Sequence, residues 1–162
     1  MNMPTLEIRR ARNNEELELC ARTMSNSEPW LTLRRTYEKS LALLLNTTKE
    51  VYLAARANEI AGFIILDMNG AFKGYLQTIC VLPNWRGRGV GTQLIAFAEA
   101  RIFREAPNVF MCVSSFNPLA QKLYLRLGYE VVGVLRDYVV AGHDEILLRK
   151  TIAPLEEFQT RL

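Results

Sequence analysis

Apolar residues recur along this chain with two different periods, one typical of strands and one typical of helices. Segments of the strand type and of the helix type follow one another from end to end. Short runs that are mostly apolar or β-branched predict strands, whereas apolar residues three or four positions apart predict helices with one buried face. The pattern predicts seven strands, at residues 6–11, 51–57, 60–68, 75–81, 109–114, 131–140 and 145–152. The second and third strands form a hairpin around Asn58-Glu59.

Four main helices are predicted between the strands. The first begins after Asn13, which is followed three residues later by Glu16 as in a capping box, and residues 25–32 end it. The third helix spans residues 90–105, and the fourth begins after Asn117. The apolar stripes of the first two helices are Leu17, Cys20, Ala21 and Met24, and then Leu33, Tyr37, Leu41 and Leu44.

The order of these elements is strand, two helices, three strands, helix, strand, helix and two strands, which indicates an α/β (α+β) fold. A chain of 162 residues with 49% hydrophobic content is long enough to bury the core of one domain. No internal repeat, linker or low-complexity segment divides it. We therefore expect a single domain over residues 1–162, with its core at about 5–153 and a short C-terminal tail from Pro154.

Composition and charge narrow the class of protein further. No apolar run approaches the ~20 residues of a membrane span, and the N-terminus lacks a signal-peptide core, so we expect no membrane partner. The net charge of +3, with acids and bases interspersed, is too small to favour nucleic acid. Cys20, Cys80 and Cys112 lie in apolar segments and are expected to be reduced core residues of a cytoplasmic protein. With His143 as the single histidine, no metal site is expected.

A glycine-rich segment joins the fourth strand to the third helix and reads Arg86-Gly87-Arg88-Gly89-Val90-Gly91-Thr92. Glycines let backbone N–H groups approach a ligand closely, and a helix start adds unpaired N–H donors and partial positive charge. Two arginines add full charges, so the segment predicts a pyrophosphate site. A Walker loop does not fit because it needs a lysine, and a dinucleotide fingerprint does not fit because it needs glycine at Thr92. A solvated glycine-rich turn is the alternative interpretation.

A second segment, residues 114–129, combines a helix start, an aromatic side chain and a helix stop. Asn117 is a good cap, Pro118 suits the first helical turn, and Gly128 suits the left-handed residue that ends a helix. Asn117 and Tyr124 are seven positions apart, so two helical turns bring them to nearly the same face. They are either a cap and a core aromatic residue or two parts of one site.

Together these segments resemble two signatures of the GNAT superfamily of N-acetyltransferases, in the order in which that family carries them. Arg86, Gly89 and Gly91 follow an apolar-Val-x-Pro sequence and are similar to the acetyl-CoA loop of the family. Residues 117–129 are similar to its second signature. The resemblance implies the GNAT fold, a mixed central sheet of about seven strands in which the fourth and fifth strands splay apart.

The resemblance also implies where acetyl-CoA, the co-substrate, binds. Its pantetheine arm is expected along the fourth strand and in contact with Asn117, and its pyrophosphate is expected against the glycine-rich segment. The implied cofactor-binding residues are Ile79, Cys80, Val81, Arg86, Gly87, Arg88, Gly89, Val90, Gly91, Thr92, Asn117 and Tyr124. A backbone N–H near Val81 is implied as the donor that stabilises the oxyanion.

The reaction implied by the resemblance is direct attack of a primary amine on the acetyl group. Tyr124 aligns with the tyrosine that protonates the departing thiolate, a catalytic role that suits a phenol of pKa ~10. The resemblance does not identify the residue that acts as general base and deprotonates the amine. The chain is nearest to the ribosomal-protein N-terminal alanine acetyltransferases, but it has Cys112 where they carry a catalytic glutamate. The alternatives are His143, Asp144, Glu145 and a chain of water molecules.

Only the positions known from the family indicate which residues surround the acceptor amine. In the family, the loop between the first two helices and the loop before the last strand enclose the acceptor, and the candidates there are Glu28, Trp30, Tyr138 and Glu145. Aromatic faces and carboxylates suit a cationic amine, either a small molecule or a peptide N-terminus. A homodimer is a possible assembly. Two alternatives are a non-catalytic acyl-CoA-binding module and covalent catalysis through Cys112, which the single histidine disfavours.

Overall fold

The computed structural model describes residues 5–159 of the chain. The strands are β1 Glu7–Arg10, β2 Glu50–Arg56, β3 Glu59–Asp67, β4 Tyr75–Val81, β5 Asn108–Ser114, β6 Glu130–Val140 and β7 His143–Thr151. The helices are α1 Asn14–Ser25, α2 Tyr37–Leu44, α3 Val90–Ile102, α4 Pro118–Arg126 and α5 Leu155–Gln159. A short 3₁₀ turn, Pro83–Trp85, lies between β4 and α3.

All seven strands join one sheet, in the order β1-β2-β3-β4-β5-β7-β6. Neighbouring strands are antiparallel except β4 and β5, which run parallel. The predicted fold class, the seven strands and the mixed sheet are thereby confirmed. Within residues 5–159, no helix is both long enough and apolar enough to cross a membrane.

Helices cover both faces of the sheet because the central strand β3 is apolar on both of its sides. Phe63 and Ile65 pack with residues of α1 and α2, such as Met24, into one core. Ile64 and Leu66 point the other way and pack with α3 and α4 into a second core. The two helices that begin at the predicted site, α3 and α4, are therefore fixed on the same face of the sheet.

The predicted elements differ from the observed ones mainly at their ends. α2 begins at Tyr37 and excludes Leu33, because the hydroxyl of Thr36 caps the helix by accepting a hydrogen bond from the N–H three residues later. α3 ends at Ile102, and residues 103–105 form a turn and not a further part of the helix. The hairpin turns one residue earlier than predicted, at Ala57-Asn58, where the first residue has a φ of 53°. A fifth helix, α5, lies in the predicted tail.

β4 and β5 pair at one position and then diverge. The paired residues are Tyr75 and Phe110, and the N–H of Phe110 donates to the carbonyl of Gly74 over 3.0 Å. Parallel strands have their carboxyl ends at the same edge of a sheet, so the opening widens toward Val81 and Ser114. The predicted splay of the fourth and fifth strands is confirmed.

α3 bridges the two halves of the sheet that this opening separates. Its buried face packs on β3 and β4 on one side and on β5 on the other. Glu99 of α3 also pairs with Lys150 of β7 over 2.8 Å, and Arg101 pairs with Glu50 of β2 over 2.6 Å. The apolar contact contributes most of the stability, because ion pairs near the surface are individually weak. The helix thus holds the opening at a set width.

We expect Gly74, at the closed end of the opening, to tolerate no side chain. It has a φ of +90°, and a Cβ there would lie 2.4 Å from the carbonyl oxygen of Asn108 and 2.6 Å from Cγ2 of Ile102. Because backbone strain and overpacking each cost about 1–3 kcal/mol, Gly74→Ala should lower the free energy of unfolding by about 2–5 kcal/mol in urea titrations. Gly133→Ala is the control, since a Cβ at Gly133 meets no heavy atom within 4 Å. Equal unfolding midpoints for the two variants would contradict this account.

Candidate active site

The opening between β4 and β5 leads into a cavity of about 520 Å³. Its walls come from β4, β5, the start of α4, the connection between α1 and α2, and the β6–β7 hairpin. A cavity of this size suits a small molecule or the end of an extended one. Residues far apart in sequence therefore meet at one place, between two parallel strands.

The edge of β4 that faces the opening offers backbone groups without a strand partner. β4 pairs with β5 only at Tyr75, so from Leu76 to Val81 this edge has no partner in β5. The N–H of Leu82 donates to the carbonyl of Ala61, on the β3 side. Successive residues of a strand direct their N–H groups to opposite edges, so the N–H of Val81 points toward the opening. An extended ligand that carries amides can pair there like an additional strand.

Two residues of β4 that were predicted to contact the cofactor present different groups to the opening. The side chain of Ile79 lines the cavity. The side chain of Cys80 lies in the core on the α1 face, where burial raises the pKa of its thiol to about 12. Cys80 therefore presents only its backbone to a ligand on the β5 side.

The glycine-rich segment follows the open end of β4 and leads into α3. Gly89 occupies the cap position with a φ of 77°, and no side chain accepts from the first N–H groups of the helix. A Cβ at Gly91 would meet nothing in the protein closer than Cγ2 of Val81, at 3.7 Å. Packing within the protein thus does not require a glycine at position 91, and the missing side chain leaves the helix N-terminus accessible to an anion.

Trp85 anchors this segment to the sheet. The Trp85 side chain is buried, and its Nε1 donates to the carboxylate of Glu59 over 2.9 Å. The guanidinium of Arg88 lies 5.6 Å from the Trp85 ring centre, and Nε of Arg86 donates to the carbonyl of Val81 over 3.2 Å. Both arginines are exposed, and neither has a carboxylate within 4.0 Å among residues 5–159. Their charges are available to an anionic ligand.

Asn117 and Tyr124 both line the cavity, from the start and the middle of α4. Asn117 caps the helix, since its Oδ1 accepts from the N–H of Ala120 over 3.3 Å. Tyr124 is only 7% exposed, and burial raises the pKa of its phenol to about 12. At neutral pH the phenol is therefore protonated and can donate a proton into the cavity.

Glu145 is a buried carboxylate in the wall of the same cavity. The residue is 4% exposed, and its Oε1 accepts a hydrogen bond of 2.6 Å from the hydroxyl of Ser114. The two residues face each other because β7 pairs with β5 in the register Ser114 to Glu145. Burial raises the pKa of this carboxyl group, and the hydrogen bond from Ser114 partly offsets that effect. A carboxylate in such surroundings is a stronger base than one in water.

The other two predicted base candidates do not line the cavity. The carboxylate of Asp144 accepts from the N–H of Asp137 over 3.1 Å, within the β6–β7 hairpin. The ring of His143 packs edge-on against Phe116, with 5.0 Å between the ring centres. Glu145 is thus the one of these three side chains that faces the cavity.

Cys112 is not the core residue that the sequence predicted. It is half-buried and lines the cavity, next to the side chain of Tyr75. Its neighbours Met111 and Val113 point to the opposite face of β5 and are buried in the core. Burial raises the pKa of the Cys112 thiol, which therefore stays protonated and is a poor nucleophile. This chemistry further disfavours a covalent route.

The predicted acceptor residues divide into two groups. Trp30, Tyr138 and Glu145 line the cavity. Glu28 does not, because its carboxylate turns back to its own loop and accepts from the N–H and the hydroxyl of Thr32, over 3.3 and 3.1 Å.

Sequence reasoning missed several residues that the fold brings into the cavity. Tyr75 and Gln77 line it from β4, where the pairing with β3 skips Gln77 as a bulge and so breaks the strict alternation that a sequence pattern assumes. Ser114 and Arg35 also line the cavity. Nothing local in the sequence identifies Arg35, because its position depends on how the connection between α1 and α2 folds back.

The chain belongs to the acetyltransferase (GNAT) family, whose sequence model matches residues 12–129. An N-alpha-acetyltransferase of Sulfurisphaera tokodaii is 31% identical over 111 residues, which cover 60% of this chain and 66% of that protein. An aminoalkylphosphonate N-acetyltransferase of Salmonella typhimurium is 28% identical over 134 residues, which cover 79% of this chain and 87% of that protein. The chain spans between 38% and 66% of the length of three curated relatives that it matches.

Solved structures share this fold. The ribosomal-protein-S18-alanine N-acetyltransferase of Escherichia coli matches with a TM-score of 0.74 and 17% identity, over 93% of this chain and 96% of that one. At that identity the likeness shows a shared fold. The resemblance predicted from the two sequence signatures is confirmed at the level of the family.

We expect Glu145→Gln to stabilise the fold at high pH and not at low pH. Because the pKa of Glu145 is raised in the folded protein, the folded state holds the proton more tightly than the unfolded chain. The free energy of unfolding should therefore fall as the pH rises from the ordinary value of 4.5 through the folded-state pKa. The loss is about 1.4 kcal/mol for each tenfold difference in proton affinity between the two states. Glutamine keeps the hydrogen bond from Ser114 and does not ionise, so it escapes this loss.

Thermal unfolding at pH 4 and pH 8 measures the effect. Asp144→Asn is the matched control, since it removes the carboxyl group next to Glu145 in sequence that does not line the cavity. A Glu145→Gln protein that is less stable than the parent at pH 8 would contradict the inference that the buried, ionised carboxylate of Glu145 destabilises the fold.

Proposed function

We propose that this protein is an N-acetyltransferase that transfers the acetyl group of acetyl-CoA to a primary amine. The observation that carries the proposal is one cavity that holds a protonated phenol, Tyr124, and a buried carboxylate, Glu145, next to the open edge of β4. Direct acetyl transfer to an amine needs a proton donor for the thiolate and a proton acceptor for the ammonium. Membership of the family supports the same reaction.

Acetyl-CoA fits the surfaces on either side of Val81. Its two amide groups can pair with the unpartnered edge of β4, and its pyrophosphate can bind the N-terminus of α3, where Arg86 and Arg88 have no ion pairs within the part of the chain that the structure describes. The N–H of Val81 points into the opening and can donate to the acetyl carbonyl. That donor would stabilise the negative charge that forms on this oxygen in the transition state.

Each proton in the proposed reaction has a residue to accept or donate it. Glu145 takes a proton from the acceptor ammonium, directly or through water, and the free amine attacks the acetyl carbon. A C–N bond forms, the C–S bond breaks, and Tyr124 donates its proton to the departing thiolate. The second proton that the nitrogen loses returns, directly or through water, to Tyr124. Asn117 holds the start of α4 and so orients Tyr124 toward the cavity. In this proposal the base lies on β7, whereas the ribosomal-protein alanine acetyltransferases carry their base at the position of Cys112.

The size and lining of the cavity favour a small amine over a peptide N-terminus. Trp30 and Tyr138 provide aromatic faces that attract an ammonium group, and the volume of about 520 Å³ suits a compact molecule. The relatives named above include an N-alpha-acetyltransferase and an aminoalkylphosphonate N-acetyltransferase, so both kinds of acceptor occur among similar proteins. A cytoplasmic location and a homodimer are further proposals, and they rest on the sequence alone.

Cofactor binding can be tested with Gly91→Val. A Cβ at Gly91 has no close contact in the protein, and valine is at least as compatible with a helix as glycine, so the variant should fold normally. The added side chain should block the anion from the N–H groups and weaken acetyl-CoA binding by about 10–100-fold, which corresponds to the loss of one charge-assisted hydrogen bond. Calorimetry measures the affinity, with Gly133→Val as the control. Unchanged affinity in a folded Gly91→Val protein would contradict the proposed cofactor site.

The proton transfers can be tested with Tyr124→Phe and Glu145→Gln. Thiol release is first measured with a panel of polyamines, amino acids, aminoglycosides and short peptides, and the best acceptor is then used with the variants. Each change should lower kcat by about 10²–10⁴-fold without weakening acetyl-CoA binding. Glu145→Gln should also remove the rise of rate with pH that deprotonation of the carboxyl group causes.

Tyr129→Phe and Asp144→Asn are the matched controls. Tyr129 is a buried tyrosine whose ring centre lies 6.1 Å from that of Tyr124, and neither Tyr129 nor Asp144 lines the cavity. A Tyr124→Phe enzyme with the turnover of the parent would leave Tyr124 as a packing residue. Acetyl-CoA binding without thiol release for any amine would favour the non-catalytic alternative.

A further inference from the structure

Two opposite charges share the cavity without pairing with each other. Among the lining residues, Arg35 is the one cation and Glu145 is the one carboxylate. No ion pair within 4.0 Å joins them, and none joins Arg35 to any other acid in residues 5–159. Other half-buried arginines of this protein are paired: Arg9 with Glu16 over 2.7 Å, and Arg101 with Glu50 over 2.6 Å.

The backbone holds Arg35 at the cavity wall. Its N–H donates to the carbonyl of Trp30 over 2.9 Å, and Trp30 itself lines the cavity. This bond closes the turn between α1 and α2 directly above the opening. The preceding residue, Arg34, is exposed and does not line the cavity, so two adjacent arginines differ in their surroundings.

A guanidinium that is half-buried among aromatic and apolar groups is stabilised by an anion in contact with it. Apart from Glu145, which forms no ion pair with Arg35, the side chains that line this cavity include no carboxylate. The anion that completes the site must then come from the ligand. The pyrophosphate of acetyl-CoA is an unsuitable source, because the glycine-rich segment that suits it lies beyond Val81 and is not part of the cavity lining.

We propose that the acceptor is a zwitterion, a small primary amine that carries a carboxylate or phosphonate group. Its ammonium group lies at Glu145 and its anionic group lies at Arg35. The inference rests on the proposed acetyl transfer, in which Glu145 receives the ammonium proton. Acetylation converts the ammonium to a neutral amide and removes its attraction to Glu145, while the anionic group keeps its contact with Arg35.

Matched acceptors test this inference in the full chain. β-Alanine and 2-aminoethylphosphonate carry the two kinds of anion, and β-alaninamide and propylamine are comparable amines without one. The enzyme should prefer the anionic members by about 10–100-fold in kcat/KM, the range expected for a charge-assisted hydrogen bond. Comparison of the first two acceptors distinguishes a carboxylate from a phosphonate site.

Arg35→Met should abolish this preference by lowering kcat/KM for the anionic amines to the level of their neutral analogues. The affinity for acetyl-CoA should not change, and kcat/KM should fall more for the anionic amines than for β-alaninamide and propylamine. Arg34→Met is the matched control and should keep the full preference. A parent enzyme that acetylates β-alanine and β-alaninamide equally well would overturn the inference, and so would an Arg35→Met protein that keeps the preference, whether or not its affinity for acetyl-CoA changes.

Failure of the proposed function would be recognised separately. If acetyl-CoA binds but no amine is acetylated, the proposed activity is wrong. The same pairs of amines are then titrated by calorimetry into the complex with CoA, where binding does not depend on turnover. Stronger binding of the anionic members that is lost in Arg35→Met would still support a zwitterion site formed by Glu145 and Arg35, and equal binding of all four would overturn it.

Discussion

The site depends on one hydrogen-bonded position that joins two parallel strands. β4 and β5 share the pair Tyr75 and Phe110 and then separate. Unpaired backbone groups in a sheet are costly when they are removed from water, so the edge of β4 from Leu76 to Val81 favours a ligand that can hydrogen-bond to it. If the strands stayed paired to their ends, these groups would be satisfied and no cavity would exist. The missing pairing thus creates both the space and the binding surface.

The cavity holds charged groups that no opposite charge neutralises. Several half-buried acids and bases outside the cavity do form ion pairs, such as Arg101 with Glu50. In the cavity, Glu145 has only the hydroxyl of Ser114, and Arg35 has no acid within 4.0 Å among the described residues. Burial of such groups lowers stability. The apolar cores on both faces of the sheet offset this cost.

The sequence could predict the elements and the two family segments because both depend on local patterns. Periodicity located every strand, and the glycine-rich segment and the α4 helix are each continuous in sequence. The base could not be chosen, because nothing local distinguishes Glu145 from Asp144. The register of β7 against β5 makes that distinction by bringing Glu145 opposite Ser114. The same dependence on tertiary structure explains why Cys112 was assigned to the core and why Arg35 was missed.

The closed end of the opening also acts as a pivot. From Tyr75 to Val81 the strand rises about 20 Å, at roughly 3.3 Å per residue. Over that length, a rotation of about 3° at the pivot would move the N–H of Val81 by about 1 Å relative to β5. A displacement of this size is enough to slow an enzymatic reaction by about 10²-fold. The packing of Gly74 against Asn108 and Ile102 would therefore influence the distances between the proposed catalytic groups at the open end of β4, without any contact with a substrate.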